Sequence, residues 1–78
     1  MSKSMVERVH STVYYNAGEP EGISDAIDAT HIRVILCANG GYDSWKVNKG
    51  IIEALETGLI HEVDGGYRSA IHPRESRS

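Results

Sequence analysis

The sequence predicts a small α+β domain, roughly β-α-β-α-β-β, in which a three- to four-stranded sheet packs on two helices and a β-hairpin closes the chain. Three observations predict it. Val6 to Tyr15 alternates, with Val9, Ser11, Val13 and Tyr15 on one face and Arg8, His10, Thr12 and Tyr14 on the other. Ile32 to Cys37 is an apolar run broken by a single charge, as in a strand buried on both faces. Asp64-Gly65-Gly66 separates two apolar segments with residues that tolerate positive φ, which marks a hairpin turn.

Taken in order, residues 1–5 are polar and read as a flexible tail. The β-branched and aromatic side chains of 6–15 favour a strand. Asn16 to Gly22 contains Gly18, Pro20 and Gly22 and reads as a loop. Ser24 or Gly22 then caps a short helix reaching Thr30, with Ile23, Ala26, Ile27 and Thr30 at helical spacing and Asp25 near the positive end of its dipole. The central strand Ile32–Cys37 stops at Asn39-Gly40-Gly41. Asp43 or Ser44 starts a second helix whose Val47, Ile51 and Leu55 form a stripe widened by Ile52 and Ala54, and Gly58 closes it as a left-handed cap.

Gly50 inside that helix costs about 1 kcal/mol relative to Ala. A second reading therefore stays open, in which Tyr42 to Val47 is a strand and the helix begins near Asn48. Leu59 to Val63 and Tyr67 to Ile71 pair as the hairpin, His72-Pro73 ends it, and residues 73–78 read as a second flexible tail. The expected core is Val9, Val13, Ile27, Val34, Leu36, Ile51, Leu55 and Val63.

A chain of 78 residues has room for one core, so a single domain spans 1–78. Folding at this size buries only about 60–65% of the unfolded surface, which makes an enclosed active site hard to build. A hydrophobic fraction of 40% with 24% charged residues excludes disorder along the whole length. Eight Lys plus Arg against eleven Asp plus Glu, net −3, disfavours sequence-independent binding to phosphate backbones. Cys37 is the single cysteine, which excludes an intramolecular disulfide and a zinc site built from several cysteines. The apolar stretch Val34–Ala38 is far short of the roughly twenty residues that cross a bilayer, so no membrane contact is expected and the protein reads as cytoplasmic.

The chemistry-bearing patterns are weak. Cys37 to Ser44 has the strand, Gly-rich turn and helix start that cradle anions, but no Gly-Lys-Ser/Thr ending and no third glycine, and Asp43 would repel a phosphate. His10, His31, His61 and His72 fall in no ligand-spacing pattern. No catalytic residue, cofactor or metal is expected, and the chain reads as non-enzymatic.

Two surfaces suit a partner. Glu19, Glu21, Asp25 and Asp28 cluster with no cation among them. Such a run is most often a solvated face, and its functional alternative is a contact with a basic protein. Asn39-Gly40-Gly41-Tyr42-Asp43-Ser44 and Asp64-Gly65-Gly66-Tyr67-Arg68-Ser69 share a pattern. Either one turn chemistry was used twice, or Tyr42 and Tyr67 are paired anchors with Trp45 beside the first. The expectation is a stoichiometric inhibitor or adaptor, of the kind phages encode, acting on a larger, basic, nucleic-acid-handling protein through Glu19, Glu21, Asp25, Asp28, Tyr42, Trp45 and Tyr67. Homodimerisation stays open.

The stretch from Asn48 to Ile71, a helix, Gly58, Leu59-Ile60, an acidic-Gly-Gly turn and Tyr67-Arg68, resembles the recognition helix and wing that close a winged-helix domain. The resemblance implies the alternative function, a DNA-binding regulator using Lys46, Lys49, Arg68, Arg74 and Arg77.

Overall fold

The computed structural model describes residues 4–17, 26–63, 65–71 and 73. Its elements are helix α1 (Met5–Ala17), helix α2 (Ala29–Arg33) running into a π-helical segment (Val34–Asn39), helix α3 (Ser44–Glu56), and strands β1 (His61–Val63) and β2 (Gly66–Arg68). Helices therefore dominate, and the expected sheet of three or four strands packed on two helices is replaced by a two-stranded antiparallel hairpin.

The first correction is at 6–15, which is helix and not strand. Val9, His10, Val13, Tyr14 and Ala17 are all buried in α1. Alternation would send Val9 and His10 to opposite faces, whereas a 3.6-residue period brings all five to one side. The start is fixed by Ser4 and Glu7: the Glu7 N–H donates to Ser4 Oγ at 3.2 Å, and the Ser4 N–H lies 3.5 Å from Glu7 Oε1. This Ser-x-x-Glu pattern is a capping box and favours a helix.

The second correction is at Ile32–Cys37, which is helical as well. Ile32 and Leu36 are buried while Val34 between them is 55% exposed. In a strand these three would share a face; in a helix the middle one turns away. Val34 thus leaves the expected core, and Leu55 and Val63 are only half-buried. The expected helix 22–30 falls partly on 18–25, outside the described residues. Of its described end, residues 26–28 are not helical and Ala29 and Thr30 open α2 instead: Asp28 is extended (φ −85°, ψ 168°) and caps α2 by accepting from the His31 N–H at 2.8 Å.

From Ser44 onward the expectations hold more closely. Residues 44–47 are helical, which decides against the strand alternative for this segment. After α3, Gly58 has φ +78°, its N–H donates to the Leu55 carbonyl at 3.2 Å, and the Leu59 N–H donates to the Ala54 carbonyl at 3.0 Å. This is the paired Schellman closure, and it needs a left-handed residue at Gly58. The hairpin pairs His61 with Arg68, Glu62 with Tyr67 and Val63 with Gly66. Ile27 adds one further antiparallel bridge to Tyr67, with N–H···O distances of 3.1 and 2.8 Å.

The core is built where these elements meet. Val9, Val13 and Ala17 of α1 pack with Val47, Ile51 and Ala54 of α3, and Ile32 of α2 and Leu36 of the π-helical segment close one side with Ile27 and Ile60. Each large aliphatic side chain so buried contributes about 1.5–3 kcal/mol. A Cβ on Gly50 would meet Met5 Cγ at 2.6 Å and Val9 Cγ2 at 3.1 Å, so the glycine that weakens α3 locally is what lets α1 approach.

Candidate functional site

With Val47, Gly50, Ile51 and Ala54 turned inward, the opposite side of α3 carries Trp45, Asn48, Lys49, Ile52 and Glu56, all exposed. Charge is segregated along the helix. Lys46 and Lys49 lie in the N-terminal half, which is also the positive end of the helix dipole, and Glu53 and Glu56 lie in the C-terminal half. Lys46 Nζ comes within 4.0 Å of Asp43, but both side chains are more than half exposed and the pair is worth little.

Helix α2 is tied alongside this face. Arg33 Nη1 donates to Asn48 Oδ1 at 3.0 Å, bringing a third cation to the N-terminal half of α3. Sequence reasoning missed Arg33 because a strand at 32–37 would have carried it away from α3. On the other flank, Met5 and Val6 of α1 and Trp45, Lys46, Lys49 and Glu53 of α3 line an open groove of about 330 Å³. Lys46 Nζ stands 5.6 Å from the centre of the Trp45 ring, a cation–π contact that leaves the indole 62% exposed.

Of the residues expected to bind a partner, the structure describes Asp28, Tyr42, Trp45 and Tyr67. Glu19, Glu21 and Asp25 lie outside the described residues, as do Arg74 and Arg77. Asp28 is exposed and engaged: it accepts from the His31 N–H and pairs with His31 Nδ1 at 2.9 Å. The backbone hydrogen bond from His31, helped by the His31 side chain, holds its carboxyl below the ordinary value. Tyr42 is half-buried under Arg8, whose guanidinium carbon sits 4.9 Å from the ring centre, and its ring fills the space a Cβ on Gly40 would need. Tyr67 is held in β2 by Ile27 and packs on the core. Of the three aromatics, Trp45 is the one standing clear of the body.

Arg68, expected as a wing cation, reaches inward. Its Nε donates to the Ala17 carbonyl at 3.2 Å, at the negative end of α1. The hairpin is further anchored by a buried polar network. His10 Nε2 lies 2.9 Å from Ser69 Oγ and 2.8 Å from the Ile71 carbonyl, and Ser69 Oγ lies 3.0 Å from the Leu59 carbonyl. A carbonyl only accepts, so His10 Nε2 carries the proton and donates. With both side chains almost wholly buried, this His–Ser pair holds α1 to the hairpin and has no access for a substrate. Among the described residues, no three or more His, Cys, Asp or Glu side chains gather where they could hold a metal ion. Nor is any helix among them long and apolar enough to cross a membrane.

No protein-family model, curated protein or solved structure matches this chain.

Proposed function

We propose that this protein is a DNA-binding domain of winged-helix type that contacts the duplex through the N-terminal half of α3. The observation that carries the reading is the grouping of Lys46, Lys49 and Arg33 around the N-terminal half of an exposed helix whose Glu53 and Glu56 lie at its other end, with the Asp43 carboxylate at the N-cap beside Lys46. In helix-turn-helix proteins it is the N-terminal residues of the second helix that reach base edges. The element order supports the reading too: two helices, then α3, then a hairpin, with Ile27 bridging to β2 before α2 begins. The helical segment at Ile32–Cys37 supplies the upstream helix that a recognition helix and wing over 48–71 require. The net charge of −3 opposes DNA binding overall, so the contact rests on the local field at α3.

The test is fluorescence anisotropy of a labelled duplex across a salt series. With about three phosphate contacts, log K should fall against log salt with a slope near −2 to −3, and Lys49→Ala should flatten it by about 1. Absence of binding at low salt, or an unchanged slope in a Lys46→Ala/Lys49→Ala double variant, would sink the reading.

One observation favours a second reading, an adaptor or inhibitor that docks on a basic, nucleic-acid-handling protein. Trp45 is 62% and Ile52 56% exposed on the same side of α3, and exposed large apolar pairs suit protein contacts. Affinity capture from lysate with and without nuclease separates the two. A stoichiometric protein band that survives nuclease and is lost in Trp45→Ala/Ile52→Ala supports the adaptor; its absence leaves the DNA reading.

A further inference from the structure

We infer that the groove between the start of α1 and the flank of α3 takes one unpaired nucleobase, stacked on Trp45, with its phosphate on Lys46 and Lys49. The inference rests on the DNA-binding reading and narrows it to DNA with a single-stranded or opened segment beside the duplex that α3 contacts. Three features of the groove select this occupant.

The first is the aromatic plate. Trp45 presents an exposed indole at the groove, and Met5 and Val6 supply an apolar wall. Bases stack on such plates regardless of sequence, because every base has a π-face. The second is charge complementarity. Lys46 and Lys49 border the same groove, and Lys46 Nζ, 5.6 Å from the indole centre, moves off the ring when a base stacks there and is then placed to pair with its phosphate. The third is size. A volume of about 330 Å³ lies at the small end of ligand sites, which run from about 300 to 1,000 Å³, and suits one nucleotide but not a duplex.

Glu53 sets the preference among bases. It lies one turn beyond Lys49 and borders the groove, where its carboxylate accepts hydrogen bonds and donates none. The exocyclic amino group of cytosine offers it two N–H donors; unpaired thymine offers one, its N3–H.

Trp45 is the only tryptophan in the chain, so intrinsic fluorescence reports this site directly. The experiment compares a short blunt duplex with the same duplex carrying an oligo(dC) or oligo(dT) overhang at either end, by anisotropy and by Trp45 emission. The expected result is tighter binding and quenched emission with an oligo(dC) overhang, less of both with oligo(dT), and neither with the blunt duplex. Trp45→Ala should remove roughly five- to a hundredfold of overhang affinity, while Trp45→Phe keeps most of it. Both substitutions fall on an exposed side chain, so folding is preserved and circular dichroism verifies it. Blunt-duplex binding without any overhang gain or quenching would overturn the groove inference and leave the DNA-binding reading standing. No binding to any probe would overturn both. A change in Trp45 emission with protein concentration alone would assign the groove to a second copy of the chain and overturn the nucleobase.

Discussion

Gly50 of α3 lies against Met5 of α1 so closely that a Cβ at position 50 would stand 2.6 Å from Met5 Cγ and 3.3 Å from the Met5 carbonyl oxygen. In an exposed helix Gly→Ala gains about 1 kcal/mol. Here the methyl overpacks the α1–α3 contact, at a cost of about 1–3 kcal/mol. Gly50→Ala is expected to lower stability by about 1 kcal/mol net, and Gly50→Leu by more. Urea midpoints decide it: a midpoint raised by alanine would mean that the close approach is not a constraint.

Gly66 meets backbone, not side chain. A Cβ there would come within 2.6 Å of the Ile27 carbonyl oxygen and 3.0 Å of the Asp28 nitrogen. Neither atom can swing aside, so Gly66→Ala should break the Ile27–Tyr67 bridge and cost about 2–3 kcal/mol. Amide exchange at Ile27 and Tyr67 should accelerate while protection in α3 persists. Unchanged exchange at Tyr67 would contradict this.

His10 and Ser69 are expected to act as a unit. His10→Ala removes a buried ring together with the donor to the Ile71 carbonyl, and should cost about 2–4 kcal/mol. Ser69→Ala should cost about 1–2 kcal/mol. A double-mutant cycle should return a coupling of at least about 0.5 kcal/mol, and a coupling of zero would show that the two act separately.

Asp28 gives α2 an acid-side dependence. Its carboxyl is held below the ordinary aspartate value of 3.8, so the folded state binds this proton less readily than the unfolded chain does. Its contribution is therefore complete above about pH 4 and is lost as pH falls through the lowered value. Asp28→Asn keeps a capping oxygen but does not titrate, so it should flatten the acid limb of a pH–stability curve below pH 4. An identical acid limb in both proteins would exclude Asp28 as a contributor.

Much of the C-terminal half was legible from sequence. Asp43-Ser44, Gly58 and the Asp64-Gly65-Gly66 sequence are punctuation that acts through local backbone geometry; α3 falls where they indicate, and the hairpin does too, though its strands are His61–Val63 and Gly66–Arg68 and not the expected 59–63 and 67–71. In the N-terminal half the Val, Ile and Tyr content favours strands, yet 5–17 and 29–39 are helical. Helix propensities of ordinary residues differ by only about 0.7 kcal/mol, and burying one aliphatic side chain outweighs that. Two local cues pointed the right way: the Ser4–Glu7 capping box, and the helical spacing of Val9, Val13 and Ala17.

For the candidate site the division is similar. The sequence by itself determined one small apolar core, an aromatic and two lysines at the start of α3, and a glycine-turned hairpin after it, because composition, spacing and turn chemistry are local properties. Only the tertiary structure decided which groups face outward. Tyr42 went under Arg8, Tyr67 into the sheet, Arg68 onto the end of α1 and Arg33 beside Asn48, while Trp45 stayed exposed at a groove. Those placements depend on how closely α1 and α2 approach α3, and that distance is set by contacts such as Gly50 on Met5, between residues far apart in the chain.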